Sequence, residues 1–104
     1  MNLNKLKKLA GEIRSLRRKA GSVHDRELVS IAQSLGRKST NTSGHPQYVS
    51  DLRRGRITIP SHSKPLAKGT TLAILADLET DVFYWRRLLR SQKADSPNSP
   101  RIEE

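Results

Sequence analysis

The chain has 104 residues, with 20 Lys and Arg against 10 Asp and Glu, a formal net charge of +10 and no cysteine. That length suits one domain with a modest core, the missing cysteine excludes a disulfide framework and a thiolate zinc site, and no apolar run approaches the roughly 20 residues of a membrane span. The charge excess points to a polyanion as partner, nucleic acid first and an acidic protein second; the missing cysteine fits a reducing cytoplasm, and the basic N-terminus lacks the apolar region of a signal peptide.

Residues 4–19 read as a helix capped by Asn4. Leu6, Leu9, Ile13 and Leu16 recur at spacings of three and four and share one face. Lys5, Lys7, Lys8, Arg14, Arg17, Arg18 and Lys19 occupy the others, against Glu12 alone. This is either a basic arm for phosphates or an amphipathic helix with a solvated basic face. A second helix follows, opened by the capping-box pattern of Ser22 and Asp25. Leu28, Ile31, Ala32 and Leu35 form its apolar face, and Gly36 closes it.

Arg37 to Thr42 fits a short edge strand. His45 to Leu52 fits a second strand, with Pro46 tolerated only near its start. Arg53-Arg54-Gly55 makes a turn, and Arg56-Ile57-Thr58-Ile59-Pro60 is a β-branched strand ended by proline. The last helix starts at Gly69-Thr70, with Thr70 as N-cap. It runs about 20 residues on the stripe Leu75, Leu78, Val82, Trp85 and Leu89, with acids early and Arg86, Arg87 and Arg90 late, as the helix dipole favours. Its stripe resembles that of the first helix, so the two ends of the chain pack together or pair two copies as a homodimer. The expected organisation is a basic amphipathic helix at 1–21, a compact unit at 22–91 and a disordered tail at 92–104. The compact unit is α-β-β-β-α, an α+β sandwich of a three-stranded antiparallel sheet with helices on one face.

Three segments of this unit carry a family resemblance: Gly44-His45-Pro46-Gln47-Tyr48, then Ile57-Thr58-Ile59-Pro60-Ser61-His62, then Lys64-Pro65-Leu66-Ala67-Lys68-Gly69-Thr70. In order and spacing the stretch from Leu28 to Leu78 resembles the HicA family, the toxin half of type II bacterial toxin–antitoxin pairs. The resemblance implies a double-stranded-RNA-binding-domain-like fold and an endoribonuclease (an mRNA interferase) that cleaves messenger RNA. It also implies a HicB-like antitoxin as partner and His45, at the opening of the second strand, as the catalytic residue. The chain departs from the family at Pro46, where many members carry a second histidine, and in its added first helix and lengthened last helix.

The chemistry implied is simple. RNA supplies its own nucleophile, the 2′-hydroxyl, so an enzyme needs a base, an acid and cations around the phosphorane. Histidine suits proton transfer because its unperturbed pKa of about 6.5 lies near working pH. Arg37, Lys38, Arg53, Arg54, Arg56 and Lys64 flank the two central strands and are the candidate phosphate ligands. Tyr48 either stacks on a base or fills the core. His62 is an accessory candidate that shapes its loop or touches phosphate. The three histidines show no metal-ligand spacing, so the expected mechanism uses no metal and no cofactor. The alternative to a nuclease is a non-catalytic nucleic-acid-binding module on the same fold, and a blander one is a basic assembly protein.

Overall fold

A computed structural model describes residues 1–40, 46–61 and 63–94. The order is α1 (Leu3–Arg18), a 3-10 turn (Ala20–Ser22), α2 (Asp25–Ser34), β1 (Lys38–Ser39), β2 (Gln47–Val49), β3 (Ile57–Thr58) and α3 (Lys68–Ala94). The fold class is α+β. The strands form one antiparallel sheet in the order β1-β2-β3.

The helix caps differ from the sequence expectation in each case. Asn2, not Asn4, caps α1: its side-chain oxygen accepts from the Lys5 backbone N–H at 2.8 Å. α2 is capped at His24 rather than Ser22, because Ala20–Ser22 forms the 3-10 turn. The Glu27 carboxylate accepts from the His24 backbone N–H at 2.9 Å. α3 begins at Lys68, before Thr70, and spans 27 residues. At 1.5 Å per residue it is a rod of about 40 Å. Its last residues overrun the expected tail boundary; the tail expectation for 95–104 lies outside the described residues.

The strands are shorter than the sequence suggests. Beyond β2, the Ser50 hydroxyl accepts from the Leu52 N–H at 3.0 Å, a local turn that competes with the ladder. Gly55, with φ +103°, bends the connection back into β3. Pro46, with no N–H of its own, joins the ladder as an acceptor from Ile59 N–H at 3.2 Å.

α2 ends in a Schellman arrangement. Gly36 takes φ +95°, its N–H reaches the Gln33 carbonyl, and the Arg37 N–H reaches the Ala32 carbonyl, both at 3.0 Å. This places Arg37 directly after the helix end, at the root of β1.

One core holds the chain together. Leu6, Leu9, Ile13 and Leu16 of α1 join Leu28, Ile31 and Leu35 around α2, Tyr48, Ile57 and Ile59 of the sheet, and Ile74, Leu75, Leu78 and Val82 of α3. α3 is the element they share. Its side toward the sheet meets β3, and Trp85 Nε1–H donates to the Leu35 carbonyl at 2.7 Å. Its other side receives the apolar stripe of α1. The two terminal helices therefore pack on each other within one chain.

Candidate nucleic-acid interface

The register sorts the sheet residues by face. Tyr48 pairs with Ile57, and both are buried, so their face looks to the helices. Lys38 pairs with Val49, and Gln47 with Thr58, so these four lie on the opposite, outward face. Arg56, one residue before Ile57, also belongs to that face. Its Nη1 donates to Gln47 Oε1 at 2.9 Å, which holds the guanidinium over the sheet. Lys38, Arg54, Arg56 and Lys64 are all exposed. The outward face and the β2–β3 turn thus present cations beside hydroxyl and amide groups, a combination that binds phosphate oxygens.

Two of the expected phosphate ligands are engaged elsewhere. Arg37 is 2% exposed and inaccessible to a ligand. Its Nε and Nη2 donate to the two oxygens of Asp81 at 2.5 and 2.9 Å, and its Nη1 to the carbonyls of Tyr48 and Gly55 at 2.9 and 3.2 Å. Arg37 is therefore a structural clamp between the end of α2, β2, the β2–β3 turn and α3. Arg53 is half-committed to the same carboxylate. Its Nε donates to Asp81 Oδ1 at 2.6 Å, its Nη2 to the Asp77 carbonyl at 2.9 Å, and its guanidinium lies 5.8 Å from the centre of the Tyr84 ring. It anchors the turn to α3 rather than presenting a free charge.

Two guanidinium groups on one buried carboxylate leave an excess positive charge. The arrangement holds because the Arg53 side chain remains 18% exposed while that of Arg37 is fully enclosed. Tyr48 is 6% exposed and fills the core, which removes it from base stacking.

His45 and His62 lie outside the described residues, as do residues 41–44. Pro46, which follows His45, is hydrogen-bonded to Ile59, three residues before His62. Among the described residues no cluster of His, Asp and Glu is placed to hold a metal ion, and no helix is long and apolar enough to cross a membrane.

Asp81 is the residue that the sequence expectations overlooked. Its position carries the signal: three residues after Leu78 and four before Trp85, it falls in the apolar stripe of α3. An acid on a buried stripe requires a cation from elsewhere in the fold. The second omission is Gln47, whose amide orients Arg56.

No family model, no curated protein and no solved structure matches the chain.

Proposed function

We propose that this chain is an RNA-cleaving toxin of the HicA type, built on a double-stranded-RNA-binding-domain-like unit and acting in the cytoplasm. The observation that carries the reading is the run α2, β1, β2, β3, α3 with an antiparallel β1-β2-β3 sheet. It is the element order that the three HicA-like segments imply, and the described parts of those segments include Gln47 and Tyr48 of β2, Ile57 and Thr58 of β3, and Lys68 to Thr70 at the start of α3.

In this reading His45 takes the proton of the 2′-hydroxyl, whose oxygen attacks the adjacent phosphorus to form a 2′,3′-cyclic phosphate, and the expelled 5′-oxygen of the next nucleotide takes its proton from water. Lys38, Arg54, Arg56 and Lys64 hold the phosphates, and Arg37 and Arg53 keep the turn in place behind them. No metal enters this scheme, so activity persists in excess chelator. A HicB-like antitoxin covers the sheet face.

The test is His45→Ala, expressed in a bacterial host and assayed as purified protein on messenger RNA. One well-placed base contributes roughly 10² to 10⁴ in rate, so the expected result is loss of growth arrest and a fall of about that size in cleavage. Undiminished cleavage by the variant would remove His45 from the chemistry. A second reading, a non-catalytic nucleic-acid-binding module, is favoured by Pro46 at the family's second-histidine position and by the internal engagement of Arg37 and Arg53. Salt-sensitive RNA binding by the parent without new RNA ends would select it.

A further inference from the structure

α1 and the second half of α3 run antiparallel, and the seam between them has a character of its own. On α1, Leu3, Lys7, Ala10, Arg14 and Arg17 follow one another at spacings of four and three and form one stripe. On α3, Glu79, Phe83, Arg86 and Arg90 do the same. The stripes meet. Arg17 Nη2 and Glu79 Oε1 lie 2.6 Å apart and close one end. Next comes a cleft of about 170 Å³ between Ala10, Arg14, Phe83 and Arg86. Arg86 also borders a larger cleft of about 600 Å³ with Leu3, Lys7 and Arg90. The two clefts share Arg86 and follow one another along the seam, making a groove in two parts.

The groove gathers four cations, Lys7, Arg14, Arg86 and Arg90, all exposed and, among the described residues, without an ion-pair partner. Facing cations across a seam repel, and Arg86 and Arg90 add a like-charge i, i+4 contact. An anionic ligand relieves both. Between the cations stands Phe83, 53% exposed, with the Arg87 guanidinium 5.8 Å from its ring centre. An exposed aromatic ring in a basic channel, with one guanidinium over it, is the arrangement that stacks an unpaired base on its other face while the cations follow the backbone.

Other occupants fit less well. A second copy docked about a two-fold axis sets the four cations against their own counterparts. An amphipathic partner helix needs apolar anchors in succession along a groove, and here the exposed large apolar side chains, Leu3 and Phe83, stand at separate places with cations between them. A rigid duplex cannot offer a base face to Phe83.

We propose that the α1–α3 seam is a binding groove for single-stranded RNA, with Phe83 as the stacking platform and Lys7, Arg14, Arg86 and Arg90 on the phosphates. The inference rests on the reading that the chain handles RNA, and it adds a second contact surface, on the flank of α3 away from the sheet.

The test uses the full chain and a short, unstructured 2′-O-methyl RNA, which lacks the nucleophile and reports binding alone. Affinity is followed by fluorescence anisotropy over a salt series. Phe83→Ala weakens binding about 5-fold or more, whereas Phe83→Trp, which keeps a stacking face, restores it. The triple change Lys7→Gln, Arg86→Gln and Arg90→Gln lowers the magnitude of the log–log salt slope by about 2, at roughly 0.7 per phosphate contact. All the substituted side chains are exposed, and thermal unfolding of each variant matches the parent.

Three results would overturn the groove: an unchanged slope with a neutral Phe83→Ala, failure of the parent to bind the probe at low salt, or displacement by polyglutamate as effective as by RNA with Phe83→Ala again neutral. The last would make the seam an acidic-protein surface. Message cleavage abolished by His45→Ala, together with seam variants that bind as the parent does, would remove the groove and leave the nuclease reading standing. Weakened binding by the seam variants in a parent that produces no new RNA ends would do the reverse.

Discussion

The two flanks of α3 use arginine in opposite ways. On the sheet side, Arg37 and Arg53 converge on Asp81, and the carboxylate and the Arg37 side chain are almost completely enclosed. On the α1 side, Arg14, Arg86 and Arg90 stand in solvent. Each guanidinium adds one unit to the net charge, yet those of the first flank act on the fold and those of the second on whatever approaches it. Location relative to a buried acid decides which. An enclosed guanidinium must satisfy its donors inside the protein, and Arg37 does so with four hydrogen bonds to three different segments. An exposed one keeps its donors hydrated and its field available to a ligand.

The sharpest way to break this contrast is Arg37→Ala. It leaves Asp81 with the partly exposed Arg53 alone and strips two carbonyls of the Arg37 donor. Removing one partner of a buried pair costs about 3–5 kcal/mol, against a total stability of roughly 5–15 kcal/mol for a domain of this size. The expected result is a large drop in the urea midpoint, or no cooperative transition at all. Arg86→Ala, on the other flank, leaves the midpoint where it was. Equal midpoints for the two variants would erase the distinction between the flanks.

A second prediction concerns what the α1 flank rests on. Ile13 is fully buried in the seam with α3 and belongs to the same apolar cluster as Leu75 and Leu78. Ile13→Ala opens a cavity there, at a cost of about 2–5 kcal/mol. Because α1 shares the core, unfolding stays a single transition at lower denaturant, and amide protection falls in α3 as well as in α1. Protection lost in α1 alone would mean that the helix is a detachable arm.

These results bear on what the sequence made legible. The helices were readable because their apolar positions recur at three and four, a signal repeated over many turns. Their caps were not, since Asn2 competes with Asn4, and His24 with Ser22, on differences of a single residue that the surrounding packing decides. The sheet order was readable from Ile57-Thr58-Ile59 and the turn at Gly55, but strand lengths were set by local bonds such as that from Leu52 N–H to Ser50. Lys38, Arg54 and Arg56 were named as candidate phosphate ligands from their places around the central strands, and all three are exposed. Arg37 was misplaced among them because sequence proximity to the strands says nothing about which way a side chain leaves a Schellman turn. Only its match with Asp81, 44 residues away, fixes that direction.

The smallest effect tests the end of the seam, where the α1 flank does pair its charge. Arg17 and Glu79 meet at 2.6 Å, with side chains 42% and 46% exposed. Water screens such a pair, and holding two long side chains in one geometry costs entropy, so its contribution is about 0–1 kcal/mol. Arg17→Ala therefore shifts the unfolding midpoint slightly or not at all, and a double-mutant cycle with Glu79→Ala returns a coupling within that range. The distance is as short as those inside the Asp81 cluster, so distance alone does not separate the two cases; solvent does. A coupling energy here as large as that between Arg37 and Asp81 would show that the seam is shielded from water, and would move the α1 flank from a surface that recruits ligands to one that holds the fold.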